Sequence, residues 1–156
     1  EAYENTIPAM LSDRLRNSKF AGPENPQTGV AAEWEPSGNT MTGFACKLVP
    51  GMYLSGREAQ LVHAYSDQVW GAIVQPGVAV RAGEAFEVEL WARAQHAPAR
   101  VAVSLKLPGW PVPAASRAEV LIDQTHWVRY TCRIASPGEG GACPRVKLVS
   151  CRLQLV

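Results

Sequence analysis

Phe86-Glu87-Val88-Glu89-Leu90-Trp91-Ala92-Arg93 decides the fold. Its apolar set, Phe86, Val88, Leu90 and Ala92, recurs at every second position, the period of a pleated strand and not of a helix. The alternate positions hold Glu87, Glu89, Trp91 and Arg93, so one face suits a core and the other mixes charge with one indole. The same alternation sets Val101, Val103, Leu105 and Leu107 against Ala102, Ser104 and Lys106. It returns in Val128, Tyr130, Cys132 and Ile134, against Trp127, Arg129, Thr131 and Arg133.

Outward from this stretch, period-2 patterning governs the chain from residue 59 on. It predicts strands at 59–65, 71–74, 84–94, 100–107, 118–122, 127–134 and 145–156. Between them stand Pro76-Gly77, Ala82-Gly83 and residues 96–98, 108–113 and 136–141, each with a Gly or Pro to turn the chain. No helix separates the strands, and the connections are too short for parallel crossovers. The expected fold is all-β, an antiparallel sandwich. Upstream, Met10, Leu11, Leu15 and Phe20 share one face of a short helix expected within 7–20, with Pro8 in its first turn. Residues 22–43 read as loop, with Trp34 plugging one end of the sandwich. The organisation expected is a lead-in over 1–20 and the sandwich over 21–156.

At 156 residues the chain has the length of one domain. Fifteen Lys plus Arg are interspersed with fourteen Asp plus Glu, so nucleic acid and anionic membrane find no electrostatic handle. No apolar run approaches the roughly 18 residues that span a bilayer. Cys46, Cys132, Cys143 and Cys151 form no Cys-x-x-Cys pair and have no His at zinc-ligand spacing. Three disulfide pairings, or four buried thiols, stay open. A start at Glu1 without Met and an end at Val156 read as a piece cut from a longer chain.

Sugars present weakly apolar C–H faces that stack on aromatic rings, and hydroxyls that pair with carboxylates and guanidinium groups. The ligand-binding candidates are therefore Trp91 with Glu89 and Arg93, and Trp127 beside Arg129. Trp110, in the stiff Pro108-Gly109-Trp110-Pro111 loop, and Trp70, just before Gly71, join them, with Tyr65 and His63 as further aromatic neighbours. The plainer alternative is that a strand-face Trp only covers a sheet edge. Glu87 and Glu89 stand roughly 7 Å apart along their strand, a distance that overlaps glycosidase acid and base pairs. Such work needs a deep cleft and a solvated strand face is the plainer account of them; no Gly-x-Ser-x-Gly elbow exists, and Gly138-Glu139-Gly140-Gly141 lacks a following helix. The residues point away from an enzyme.

The opening residues 7–20, followed by Gly29-Val30-Ala31-Ala32-Glu33-Trp34-Glu35-Pro36, resemble the entry to the carbohydrate-binding insertion of family 51 α-L-arabinofuranosidases. Gly71-Ala72-Ile73-Val74-Gln75, Val80-x-Ala82-Gly83-x-x-Phe86 and Trp91-Ala92-Arg93-Ala94 are similar to carbohydrate-binding modules of families 4, 9 and 22, which have a galactose-binding-like jelly roll. The resemblance implies a non-catalytic module, outside the cell, that tethers a parent glycoside hydrolase to xylan, arabinoxylan or another β-glycan. It makes the lead-in a remnant of the parent barrel. The alternative is a structural jelly-roll spacer packed on a catalytic domain, with no sugar site; a small hydrolase ranks last. Modules of these families carry an Asp in the last strand that helps hold a structural calcium. Leu153-Gln154-Leu155-Val156 has none, which leaves Glu33, Asp67 and Asp123 with backbone carbonyls as the oxygen donors. A missing last strand would leave an open sheet edge, a route to a homodimer.

Overall fold

In the computed structural model, which describes residues 14–17, 20, 23–38, 44–50, 58–64, 71–94, 98–148 and 152–155, the chain alternates between two antiparallel sheets. The strands are β1 (Glu35–Gly38), β2 (Phe44–Pro50), β3 (Glu58–Ala64), β4 (Gly71–Val74), β5 (Val78–Val80) and β6 (Ala85–Ala94). They continue as β7 (Ala99–Lys106), β8 (Arg117–Ile122), β9 (Val128–Ala135), β10 (Gly140–Leu148) and β11 (Arg152–Leu155), with a 3₁₀ turn at Ala114–Ser116. One sheet has six strands in the order β1-β4-β10-β7-β8, with β5 pairing the start of β10. The other has five, in the order β2-β3-β11-β6-β9.

Alternation fixes the core. Phe86, Val88, Leu90 and Ala92 of β6 meet Ile134, Cys132, Tyr130 and Val128 of β9 in register, and this face packs against Val101, Val103 and Leu105 of β7. A one-residue slip would turn every one of these side chains to water, so the register is strongly specified. Cys132 and Cys143 are free thiols on opposite sheets, and burial pushes both pKa values up. The side chains of Cys46 and Cys151 lie outside the described residues.

The sequence reading misses some strands and merges others. β1 falls in the stretch read as loop, and β2 and β5 were not expected. Glu35-Pro36-Ser37-Gly38 has no apolar alternation; it is a strand because it pairs with β4, a tertiary cause. The expected strand 145–156 is really the end of β10 and all of β11, in different sheets. β11 is flanked by β3 and β6 and is therefore no edge; the edges among the described strands are β1, β8, β2 and β9. Most of the expected helix lies outside the described residues, and residues 15–17 form a turn.

Two buried glutamines fasten the N-terminal part to the sandwich. Gln75 accepts from the Arg16 amide at 2.8 Å and donates to the carbonyls of Arg16 and Glu33 at 2.7 and 3.2 Å. Gln60 accepts from the Ala31 amide at 2.8 Å and donates to the Gly29 carbonyl at 3.1 Å. Full satisfaction is what allows a buried amide at all. Trp34, as expected, plugs one end: it is buried, its ring centroid lies 4.9 Å from that of Phe20, and its indole N–H donates to the Asn17 carbonyl.

Candidate functional site

The outer face of the six-stranded sheet has a burial pattern that alternation alone does not predict. Directly opposed residues of antiparallel strands share a face. One row across the sheet therefore runs Glu35, Val74, Arg145, Ser104, Arg117. The next holds Ser37, Ala72, Lys147, Ala102 and Glu119. These rows point away from the core cluster, yet Ala72, Ala102, Ser104 and Val74 are only 0%, 2%, 5% and 7% exposed, so the small outward side chains are covered. The charged residues of the edge strands, Glu35 on one side and Arg117 and Glu119 on the other, are exposed. Five strands spaced at about 4.8 Å put these two edges roughly 19 Å apart. Arg145 stands between Val74 and Ser104, and its Nε is buried without a partner.

Of the ligand-binding candidates, Glu89, Trp91 and Arg93 belong to the other sheet. There, Glu87, Glu89 and Trp91 of β6 oppose Arg133, Thr131 and Arg129 of β9. Glu87 pairs with Arg133 at 3.5 Å and Glu89 with Arg129 at 3.4 Å. The arginines are at least half exposed, so solvent screening leaves these pairs weak. The Arg93 guanidinium lies 5.2 Å from the centroid of the Trp127 ring. The Glu89 side chain is only 7% exposed, and its Oε1 and the Trp127 Nε1 are buried without hydrogen-bond partners. Glu89, Trp91, Arg93 and Trp127 thus share one face, as alternation predicts. Glu87 and Glu89 lie on β6, between β11 and β9, each within 3.5 Å of an arginine of β9.

Trp110 belongs to neither face. It is 69% exposed in the β7–β8 connection, at the end of the sandwich where β6 begins. Trp70, Tyr65 and Asp67 lie outside the described residues, as does the His63 side chain. Among the described residues no three His, Cys, Asp or Glu groups come together. Glu33 is engaged by Arg16 at 2.9 Å, and Asp123 follows the end of β8.

No protein-family model matches the chain, and no curated protein matches it. Solved structures do. The module TmCBM61, solved with β-1,4-galactotriose, is 18% identical at a TM-score of 0.56, with 91% of this chain and 92% of that one covered. The CBM22-1 xylan-binding domain of Paenibacillus barcinonensis Xyn10C is 12% identical at a TM-score of 0.60, with 90% and 88% covered. The arabinose-bound α-L-arabinofuranosidase MgGH51 reaches a TM-score of 0.65 at 12% identity, with 91% of this chain covered. This chain spans 25% of that enzyme and 18% of the bacteriophage CBA120 tailspike domain, which it also matches at a TM-score of 0.58. The fold is the β-sandwich of carbohydrate-binding modules.

Proposed function

We propose that the chain is a non-catalytic carbohydrate-binding module and that a glycan chain lies across the outer face of the six-stranded sheet. The observation that carries this reading is the charge arrangement of that face: Glu35 is exposed at one edge and Arg117 and Glu119 at the other, with Arg145 between them. Sugar hydroxyls need both donors and acceptors, and these four residues supply both. Solved modules of this fold are described as binding xylan or complexed with β-1,4-galactotriose, which supports the ligand class. The partners are then a plant cell-wall polysaccharide, xylan-like or galactan-like, and a parent catalytic domain, acting outside the cell. Tethering raises effective substrate concentration, so weak single-site affinity suffices.

A second placement on the five-stranded sheet, at Trp91, Trp127, Glu89 and Arg93, is favoured by the orphaned Glu89 oxygen. Affinity electrophoresis in gels containing xylan, arabinoxylan or β-1,4-galactan decides. Retardation lost in Arg145→Ala with Arg117→Ala, at unchanged thermal melting, supports the first placement. Retardation lost in Trp91→Ala with Trp127→Ala, and kept in Arg145→Ala with Arg117→Ala, moves the site to the other sheet. An unretarded parent protein in every gel leaves the structural spacer as the function.

A further inference from the structure

Two grooves share one turn at the end of the sandwich. The β9–β10 connection, residues 136–139, separates them: Pro137 lines the first, and Glu139 with Gly140 lines the second. The first, about 590 Å³, is walled by Leu107, Trp110, Pro111, Val112, Pro113 and Pro137, with no charged group. The second, about 670 Å³, is lined by Arg14, Arg81, Glu84 and Glu139 among others. From Pro137 to Gly140 the chain reaches at most about 10 Å, so the two grooves are neighbours.

The apolar groove is rigid. The Trp110 amide donates to the Leu107 carbonyl at 3.2 Å, and Gly109 at φ +80° closes a type II turn behind Pro108. Pro111 and Pro113 fix the backbone beyond it. Trp110 is thereby held on a backbone restrained by the turn and the prolines, with its side chain 69% exposed. Arg14 and Glu84 in the polar groove satisfy each other, but Arg81 and Glu139 have no ion pair among the described residues. They present one donor-rich and one acceptor head, with no net charge between them.

We propose that this end of the sandwich is a second glycan-binding surface, on which Trp110 stacks one sugar ring while Glu139 and Arg81 bond hydroxyls of the neighbouring residue. The inference rests on the glycan reading of the chain but uses no residue of either sheet face. A neutral polyol matches the combination of an uncharged aromatic platform and an adjacent pair of opposite charges. A proline-rich peptide would use the first groove and leave the second idle. The surface lies far from the sheet-face candidates: Ala85 pairs with Ala135 at this end, and Trp91 stands six residues along β6, about 20 Å away. Two such separated contacts on one polysaccharide chain would add by avidity.

The test uses the whole chain in gels of xylan, arabinoxylan and β-1,4-galactan. In every glycan that retards the parent protein, Trp110→Ala is expected to weaken retardation roughly 2- to 10-fold, the range of an aromatic stacking contact. Glu139→Ala with Arg81→Ala is expected to weaken it further. All three residues are exposed, so unchanged thermal melting separates lost binding from lost folding. Retardation by Trp110→Ala equal to the parent's overturns the proposal and leaves the glycan reading standing. Quenching of Trp110 fluorescence by a polyproline peptide and not by any glycan also overturns it. A parent protein retarded by no glycan overturns both.

Discussion

Arg14 grips Glu84 through two hydrogen bonds, at 2.9 and 2.6 Å, across 70 residues of chain. The same guanidinium bonds the Ala79 carbonyl and lies 5.1 Å from the centroid of the Phe86 ring. The Arg14 hydrogen bonds, aided by the Arg81 amide, hold the Glu84 carboxyl down at about 2. A depressed carboxyl pKa stabilises the fold above its unfolded value near 4.5, and the contribution disappears as pH falls toward 2. Melting temperature is therefore expected to drop between pH 5 and pH 2, and the drop should shrink in Glu84→Gln. Thermal melts in low salt measure it. An identical acid profile in Glu84→Gln would assign the acid sensitivity to other carboxylates.

Gln75 joins the N-terminal turn to the corner between β4 and β5 by three side-chain hydrogen bonds, and no solvent reaches it. Gln75→Ala leaves the Arg16 amide and two carbonyls short of partners and is expected to cost about 1–3 kcal/mol, given the penalty for unmet groups. Urea titration reads the loss. The same contacts, with Phe20 and Trp34 in the core, predict that a chain starting at residue 21 is less stable than the whole, which places part of the lead-in inside the sandwich domain.

Alternation made the sandwich legible because β6, β7 and β9 each set an apolar row against a more polar one; burial follows that period in β6 and β9, whereas in β7 the outward Ala102 and Ser104 are covered as well. It failed at β1, whose Pro36 and Gly38 carry turn signals, and at the break between β10 and β11, where an apolar run passes from one sheet to the other. The faces were readable but their shapes were not. That Ala102 and Ser104 are covered depends on their neighbours across the sheet, and Arg145, opposite Ser104, comes from a strand distant in sequence.

Gly138 is expected to be intolerant of any side chain. Its φ is +147°, and a Cβ there would lie 2.9 Å from Leu107 Cδ1, a side chain that also walls the Trp110 groove. Gly138→Ala should cost about 1–3 kcal/mol, the range for a backbone held in a sparsely populated region. Gly109, at φ +80° with open space around it, has only the backbone conformation to lose, so Gly109→Ala should cost less. Denaturant melts of the two variants rank them. Equal losses would mean that the Leu107 contact relaxes freely.

Glu89 separates a ligand group from a structural one. Its side chain is 7% exposed, Oε2 is 3.4 Å from Arg129, and Oε1 is buried without a partner. A carboxylate so placed carries a desolvation cost that a half-exposed arginine offsets only in part. Glu89→Gln keeps the shape and removes the charge. If the carboxylate serves only the protein, losing its ion pair lowers stability, and glycan retardation stays as it was. If it waits for a sugar hydroxyl, the variant is equally stable or more stable, and retardation weakens by about tenfold or more, the scale of a hydrogen bond to a charged group. Melting and affinity electrophoresis on the same sample decide it, because the two roles move stability and binding in different directions.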